Sequence, residues 1–168
     1  LRPDGTIASV SHNLAPVGFD AILIADSGSI AAAVAPNCAR AVLIMGTELW
    51  NSEPAIAQSA ALSGAVFAAV PDERFHQLAS RYREKFGGAP SRLASFGYDA
   101  VLLVNGVAGN WAVDAPFPRA GLSAAGGFTG IDGVFRFSGS GIAERGLEVE
   151  QVGAHGFTVV AAAPKSLN

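Results

Sequence analysis

Three short apolar runs, at 19–25, 40–45 and 64–70, punctuate the first part of the chain and predict strands. Val66, Phe67 and Val70 sit in a run with no charge, the pattern of a strand covered on both faces in a parallel sheet. Between the runs the pattern turns helical. Asp26-Ser-Gly-Ser29 opens an Ala-rich helix over 30–35, with Asp26 and Ser29 as candidate caps, and Pro36 and Asn37 end it. The loop 46–51 leads to a short predicted helix over 53–62 with Pro54 in its first turn. After the third run, Asp72 is placed to cap a helix in which Phe75, Leu78, Tyr82 and Phe86 recur at helical spacing. Arg81, Arg83, Glu84 and Lys85 take its other face, and Gly87, Gly88 and Pro90 stop it. A second helix follows with Leu93, Phe96, Tyr98, Val101, Leu102 and Val104. It is so apolar that it is expected to be the central, most buried helix.

Beyond residue 110 the period shortens. A loop at 110–115 and a short helix at 117–125 precede the turn-rich stretch 126–130 and a strand at 131–137. Ser138-Gly-Ser-Gly-Ile142 reads as a tight turn. The segment 145–152 alternates cleanly, Leu147 and Val149 against Glu148 and Glu150, and 157–161 is a last strand. Strand, helix, strand, helix, strand is the pattern of a parallel α/β sheet with right-handed crossovers, and the tail is antiparallel β. Residues 1–18 read as an arm, with a low-order strand at 6–10, and 19–168 as the domain proper. Three parallel strands and a β tail are few for so apolar a chain, which suggests dimerisation or part of a larger fold.

Composition narrows the classes. Half of the 168 residues are hydrophobic and 15% are charged, which supports a sizeable core and argues against disorder. The net charge of −3 gives no footprint for nucleic acid, and no basic run or basic amphipathic helix suggests an anionic membrane surface. Cys38 is the single cysteine and reads as a small packed hydrophobe. No apolar stretch is long enough to span a bilayer. The chain begins at Leu1 rather than Met, so a processed, cloned or proteolysed piece is expected.

Ligands of open α/β sheets bind beyond the carboxyl ends of the strands. Three loops are predicted there: Asp26-Ser27-Gly28-Ser29, Gly46-Thr47-Glu48-Leu49-Trp50 and Val70-Pro71-Asp72. Ser27, Gly28 and the backbone amides of the helix start could receive a carboxylate or phosphate. Glu48 could take an ammonium group with the Trp50 indole as a wall; the alternative is a solvated loop glutamate and a tryptophan that covers the next helix. Catalytic patterns are poor. His12, His76 and His155 are scattered, no pair has metal-ligand spacing, and no Gly-x-Ser-x-Gly elbow, P-loop or Rossmann fingerprint occurs. Asp26 at a strand end lacks the further acidic, Thr and Lys positions that a receiver domain needs.

The segments 19–26, Ala41-Val-Leu-Ile-Met-Gly-Thr47 with Trp50, and 64–71 resemble, in that order, the type I periplasmic solute-binding proteins of the leucine/isoleucine/valine group. So do Phe75 with Arg81-Tyr-Arg-Glu-Lys-Phe-Gly87, Pro90 and Ala94-Ser-Phe-Gly-Tyr-Asp-Ala-Val101. Gly127-Phe-Thr-Gly-Ile-Asp-Gly-Val-Phe-Arg-Phe137 with Gly141 completes the set. The Gly-Thr-x-x-Trp form and the Phe-Arg-Phe hairpin look closest to the penicillin-binding protein activator branch. The resemblance implies a bilobed αβα fold with a ligand cleft between lobes. The chain matches its C-terminal part: mostly the second lobe, with crossing helices at about 72–110 and the first lobe largely absent. It places Glu48 at the position that holds a ligand ammonium group. Ser27 stands where the leucine binder carries an aromatic residue, and Asp99 of the Tyr98-Asp99 pair reads as structural.

The function implied is a non-catalytic receptor for an amino acid or similar small molecule, serving an ABC-type uptake system through a membrane permease. The alternative is an envelope lipoprotein that regulates a peptidoglycan synthase through protein contacts. A flavodoxin-like or hydrolase enzyme using Asp26, Glu48 and a histidine is the rival class. The expected ligand-binding residues are Glu48, Ser27, Trp50 and Asp26. No cofactor or metal is implied, and the location implied is the periplasm, with a lipid anchor in the longer protein. A surface left open by the absent lobe predicts self-association.

Overall fold

The computed structural model describes residues 18–38 and 42–167, so the arm at 1–17 and the start of the second predicted strand fall outside the described residues. The chain divides into two compact units, 18–69 with 148–162 and 70–147 with 163–167.

The first unit is built on a five-stranded sheet in the order β1-β2-β3-β7-β8. β1 (Ala21–Ile24), β2 (Leu43–Gly46) and β3 (Val66–Ala69) run parallel, while β7 (Glu148–Gly153) joins β3 antiparallel and β8 (Gly156–Ala161) joins β7 antiparallel. The predicted α/β class with its antiparallel tail is the observed one. Helix α1 (Gly28–Val34) and a series of 3₁₀ turns make the crossovers. Ile24, Ala31, Val34, Ile44, Trp50, Ile56, Leu62, Phe67 and Val152 form the core between them. Cys38 is half-buried against that core, with its Sγ 3.8 Å from the Val34 carbonyl, and burial pushes its thiol pKa up. The other face of β1 and β2 is open: Leu23 is 57% and Leu43 45% exposed.

The predicted helix over 53–62 does not form. The chain makes 3₁₀ turns at Glu48–Ser52, Pro54–Gln58 and Ala60–Leu62, in which Ile56, Ser59 and Leu62 donate to carbonyls three residues back. The cause lies at Glu53. Its backbone is non-helical (φ −120°, ψ 65°), while its carboxylate reaches across to α1.

The second unit holds α2 (Glu73–Phe86), α3 (Ala94–Ala108) and an antiparallel sheet of β4 (Phe128–Gly130), β5 (Gly133–Phe137) and β6 (Ala143–Arg145). Gly87 ends α2 in a left-handed conformation (φ 77°), its N–H on the Arg83 carbonyl. The expected helix at 117–125 is a 3₁₀ turn at Arg119–Ser123, and the turn-rich stretch at 126–130 supplies β4. The alternating segment 145–152 is not one strand. It breaks at Gly146 and Leu147, so β6 belongs to one sheet and β7 to the other. In β7 the charged side is the inner one: Glu148 and Glu150 are buried beside Ala69 and Phe67.

Helix α3 overturns the expectation of the most buried helix. Phe96, Tyr98, Val101, Leu102 and Val104 are exposed, Val101 by 69%, whereas Ser95, Asp99, Leu103 and Val107 face inward. The spacing Ser95, Asp99, Leu103, Val107 is one helix stripe. The helix docks through a partly polar stripe and turns its apolar bulk outward.

Candidate functional site

Ile24 and Gly46 pair at the carboxyl ends of β1 and β2, so the loops at 25–29 and 47–53 leave the sheet side by side. Trp50 ties them together: its Nε1–H donates to the Asp26 carbonyl at 3.0 Å. The indole lies flat over Gly46, where a Cβ would overlap it, and beside Phe67 with ring centroids 5.8 Å apart. Trp50 is fully buried. The reading of Trp50 as the wall of an open ligand site is therefore corrected: its rings fill the core beneath the loops.

The start of α1 also differs from the expected pattern. Ser27, rather than Asp26 or Ser29, is its N-cap, with Oγ accepting from Ile30 N at 3.4 Å and lying 3.0 Å from Ser29 Oγ. Asp26 accepts the Ser27 N–H at 2.7 Å. The amides of Gly28 and Ser29, the expected cradle for a ligand anion, donate to Glu53 at 3.0 and 2.9 Å. The protein's own carboxylate thus satisfies the free N–H groups of the helix start and complements its partial positive charge. Sequence reasoning missed Glu53. The signal available was the accounting of those amides, since a helix start needs acceptors and Glu53 immediately precedes the next crossover turn.

Glu48 stands at the beginning of this loop, exposed and with no hydrogen-bond or ion-pair partner among the described residues. The edge therefore offers one free carboxylate, Glu48, near the half-buried Asp26 and Ser27. The described part of this unit holds six carboxylates, on Asp20, Asp26, Glu48, Glu53, Glu148 and Glu150, and no lysine or arginine. Of these, Asp20 precedes β1 at the opposite end of the strand, Glu148 and Glu150 are buried and Glu53 serves α1, so Glu48 is the exposed carboxylate that would attract a cationic or ammonium-bearing group. A cavity of about 560 Å³ lies elsewhere, at the amino ends of β2 and β3, lined by Pro36, Cys38, Leu43, Ala61 and Gly64 among others. Among the described residues that line it, none is charged.

A second polar centre holds the other unit. Asp99 Oδ1 accepts the Ile131 N–H at 2.6 Å, and a Cβ on Gly130 would overlap the Asp99 carboxylate. Ser95 Oγ donates to Asp132 Oδ2 at 2.6 Å. Arg92 Nη2 lies 3.0 Å from Asp132 and 3.1 Å from Asp72, at ion-pair distance but without hydrogen-bond alignment, while its guanidinium covers the Phe75 ring. Asp72 thus serves Arg92, and its side chain does not cap α2. Arg145 donates to the Asp132 carbonyl at 3.0 Å. These groups clasp the β4–β5 turn onto α3. Burial, with a smaller contribution from the Asp132 charge, pushes the Asp99 carboxyl above its ordinary value, against the lowering by two backbone N–H groups and Arg145.

No protein-family profile and no curated protein matches the chain. Solved structures do. A Rhodospirillum rubrum protein assigned to branched-chain amino acid ABC transport superposes with a TM-score of 0.76 at 20% identity, over 95% of this chain and 49% of the other. The leucine-binding protein LivK of Thermotoga maritima gives 0.63 at 18%, over 99% and 49%. The C-domain of LpoA from Haemophilus influenzae, a regulator of PBP1A, gives 0.64 at 17%, over 95% and 51%. The fold is that of the type I periplasmic binding proteins. The chain spans about half the length of these structures.

At the sheet edge beyond β1 and β2, Asp26 and Ser27 follow β1 and Glu48 follows β2. The histidines do not join them: His76 is exposed on α2, His155 sits in the β7–β8 turn, and His12 lies outside the described residues. Among the described residues, no group of three His, Cys, Asp or Glu side chains is placed to hold a metal ion. No helix described is long and apolar enough to cross a membrane.

Proposed function

We propose that this chain is part of a non-catalytic receptor of the envelope that takes a small ammonium-bearing molecule, an amino acid or a close analogue, for an ABC-type uptake system. The observation that carries the reading is the exposed Glu48 carboxylate at the carboxyl edge of a parallel sheet, with no hydrogen-bond or ion-pair partner among the described residues. In this reading Glu48 meets the ammonium group. Ser27 and the Asp26 backbone shape the neighbouring wall, and Trp50 positions both loops from beneath. Fold neighbours that carry leucine-binding and branched-chain amino acid transport names support it.

A second reading rests on a different neighbour. LpoA, a regulator of PBP1A, has the same fold, and a role in protein contact with a cell-wall synthase fits the exposed apolar face of α3. Both readings place the protein in the periplasm. Thermal-shift screening against the amino acids separates them. A hit that raises the melting temperature, and does so less in Glu48→Gln, supports the receptor. A flat screen together with retention of a peptidoglycan synthase on the immobilised protein supports the contact role.

A further inference from the structure

Outside the acidic edge, the second unit carries a basic groove. It has a volume of about 430 Å³ and is lined along α2 by Arg74, Gln77, Leu78, Arg81, Tyr82, Lys85 and Phe86, closed by Tyr98 of α3 and Ile131. No carboxylate lines it. Arg74 is fixed at one end, its Nη1 donating to the Gly130 carbonyl at 3.0 Å. Arg81 has no ion-pair partner among the described residues, and Lys85 lies over the Phe86 ring at 5.4 Å without one. Tyr82 and Phe86 stack with ring centroids 4.5 Å apart, yet Phe86 remains 62% exposed. Cations without ion-pair partners among the described residues, set beside exposed aromatic surface, suit an anionic group with an apolar neighbour.

The charge of the molecule sharpens this. Of the eleven lysines and arginines, Arg2 and Arg40 lie outside the described residues, and the remaining nine all belong to the second unit. A chain of net charge −3 therefore concentrates its cations on one unit, and three of them line one groove. The spacing selects the occupant. At a rise of about 1.5 Å per residue, Arg74 and Arg81 are separated by about 10 Å along α2, and Arg81 and Lys85 by about 6 Å. An extended strand rises about 3.3 Å per residue and turns every second side chain to the same face, so side chains two residues apart, about 6.6 Å, reproduce the Arg81–Lys85 interval on a single face.

We infer that this groove binds an extended acidic segment of a protein partner in the order apolar-x-Glu-x-Glu, its two carboxylates meeting Arg81 and Lys85 and its apolar side chain seated on Leu78, Tyr82 and Phe86. Each carboxylate meets a cation that has no ion-pair partner among the described residues, and the apolar anchor covers the exposed Phe86 ring. The inference does not depend on the ligand reading of Glu48.

The test uses the whole chain and a fluorescein-labelled hexapeptide, Glu-Leu-Ala-Glu-Phe-Glu, followed by fluorescence polarisation. Saturable binding is expected, weakened about tenfold or more in Arg81→Glu/Lys85→Glu and weakened by added salt. The same peptide with lysine in place of each glutamate should not bind. Because both substituted side chains are exposed, the variant should melt at the temperature of the parent; Arg81→Gln/Lys85→Gln serves as the milder replacement should it not. Absence of binding, equal binding of the lysine peptide, unchanged affinity in the variants, or equally tight binding of 3-phenylpropionate would each overturn the inference.

Discussion

Asp99 is buried, bonded to the Ile131 amide through one oxygen, and left with its Oδ2 unpartnered. The folded state therefore favours its neutral form, and the sign of the pH effect follows. With the folded pKa above the ordinary 3.8, the native chain binds the proton more readily than the unfolded chain. The Asp99 contribution to stability is then greatest below the unfolded value and declines as pH rises through the folded pKa. Asp99→Asn keeps an acceptor for Ile131 and removes the titration. Relative to that variant, the parent should gain stability as pH falls from neutral toward about 4, measured by urea unfolding across pH. A difference independent of pH would refute the assignment. The role of Asp99 in structure was legible from its Tyr-Asp pair. Its partners Ser95 and Asp132 were not, since nothing local in the sequence brings residue 95 to residue 132. Glu48 and Ser27 were legible because they follow strand ends directly. Trp50 was misjudged because a tryptophan's burial is decided by the space around it, here the bare Gly46 beneath the indole.

At the scale of elements, local pattern foretold strands better than helices. β1 and β3 fall inside the predicted runs, and β2 (Leu43–Gly46) overlaps its run at 40–45 and extends one residue past it, because short apolar stretches of this kind favour strand. The 53–62 stretch failed because a long-range contact of Glu53 with α1 outweighs helix propensity. The break between β6 and β7 failed because alternation does not say which sheet a strand joins. α3 was inverted because apolar content alone does not fix which stripe docks. A pair of substitutions measures that stripe. Leu103→Ala, on the inner side, should cost about 2 to 5 kcal/mol in urea unfolding. Val101→Ser, on the outer side, should change stability by no more than about 0.5 kcal/mol. A large cost at Val101 would mean that the outer face is already covered.

For the whole molecule, two features stand out: the described lysines and arginines all lie on one unit while carboxylates are shared by both, and a broad apolar face lies open on α3. An apolar face of this kind drives association. Light scattering should show a mass that rises with protein concentration, and Phe96→Glu/Val101→Glu should hold the protein as a monomer. A monomer at all concentrations would contradict this. The fold class was readable from the alternation of strands and helices, and the resemblance to type I periplasmic binding proteins from the order of several individually weak motifs. The division at residue 70 lies close to the start of the crossing helices read at about 72, whereas the return of 148–162 to the first unit was not legible, because alternation does not say which sheet a strand joins.

The central claim is that the edge carrying Glu48 receives an ammonium-bearing ligand. Isothermal titration calorimetry of the parent and of Glu48→Gln, with the amino acid that most stabilises the parent, tests it directly. Saturable one-to-one binding by the parent, weakened about tenfold or more by the loss of the carboxylate, is the expected result. Equal affinity in the two proteins, or no heat from any amino acid with the parent, would contradict it.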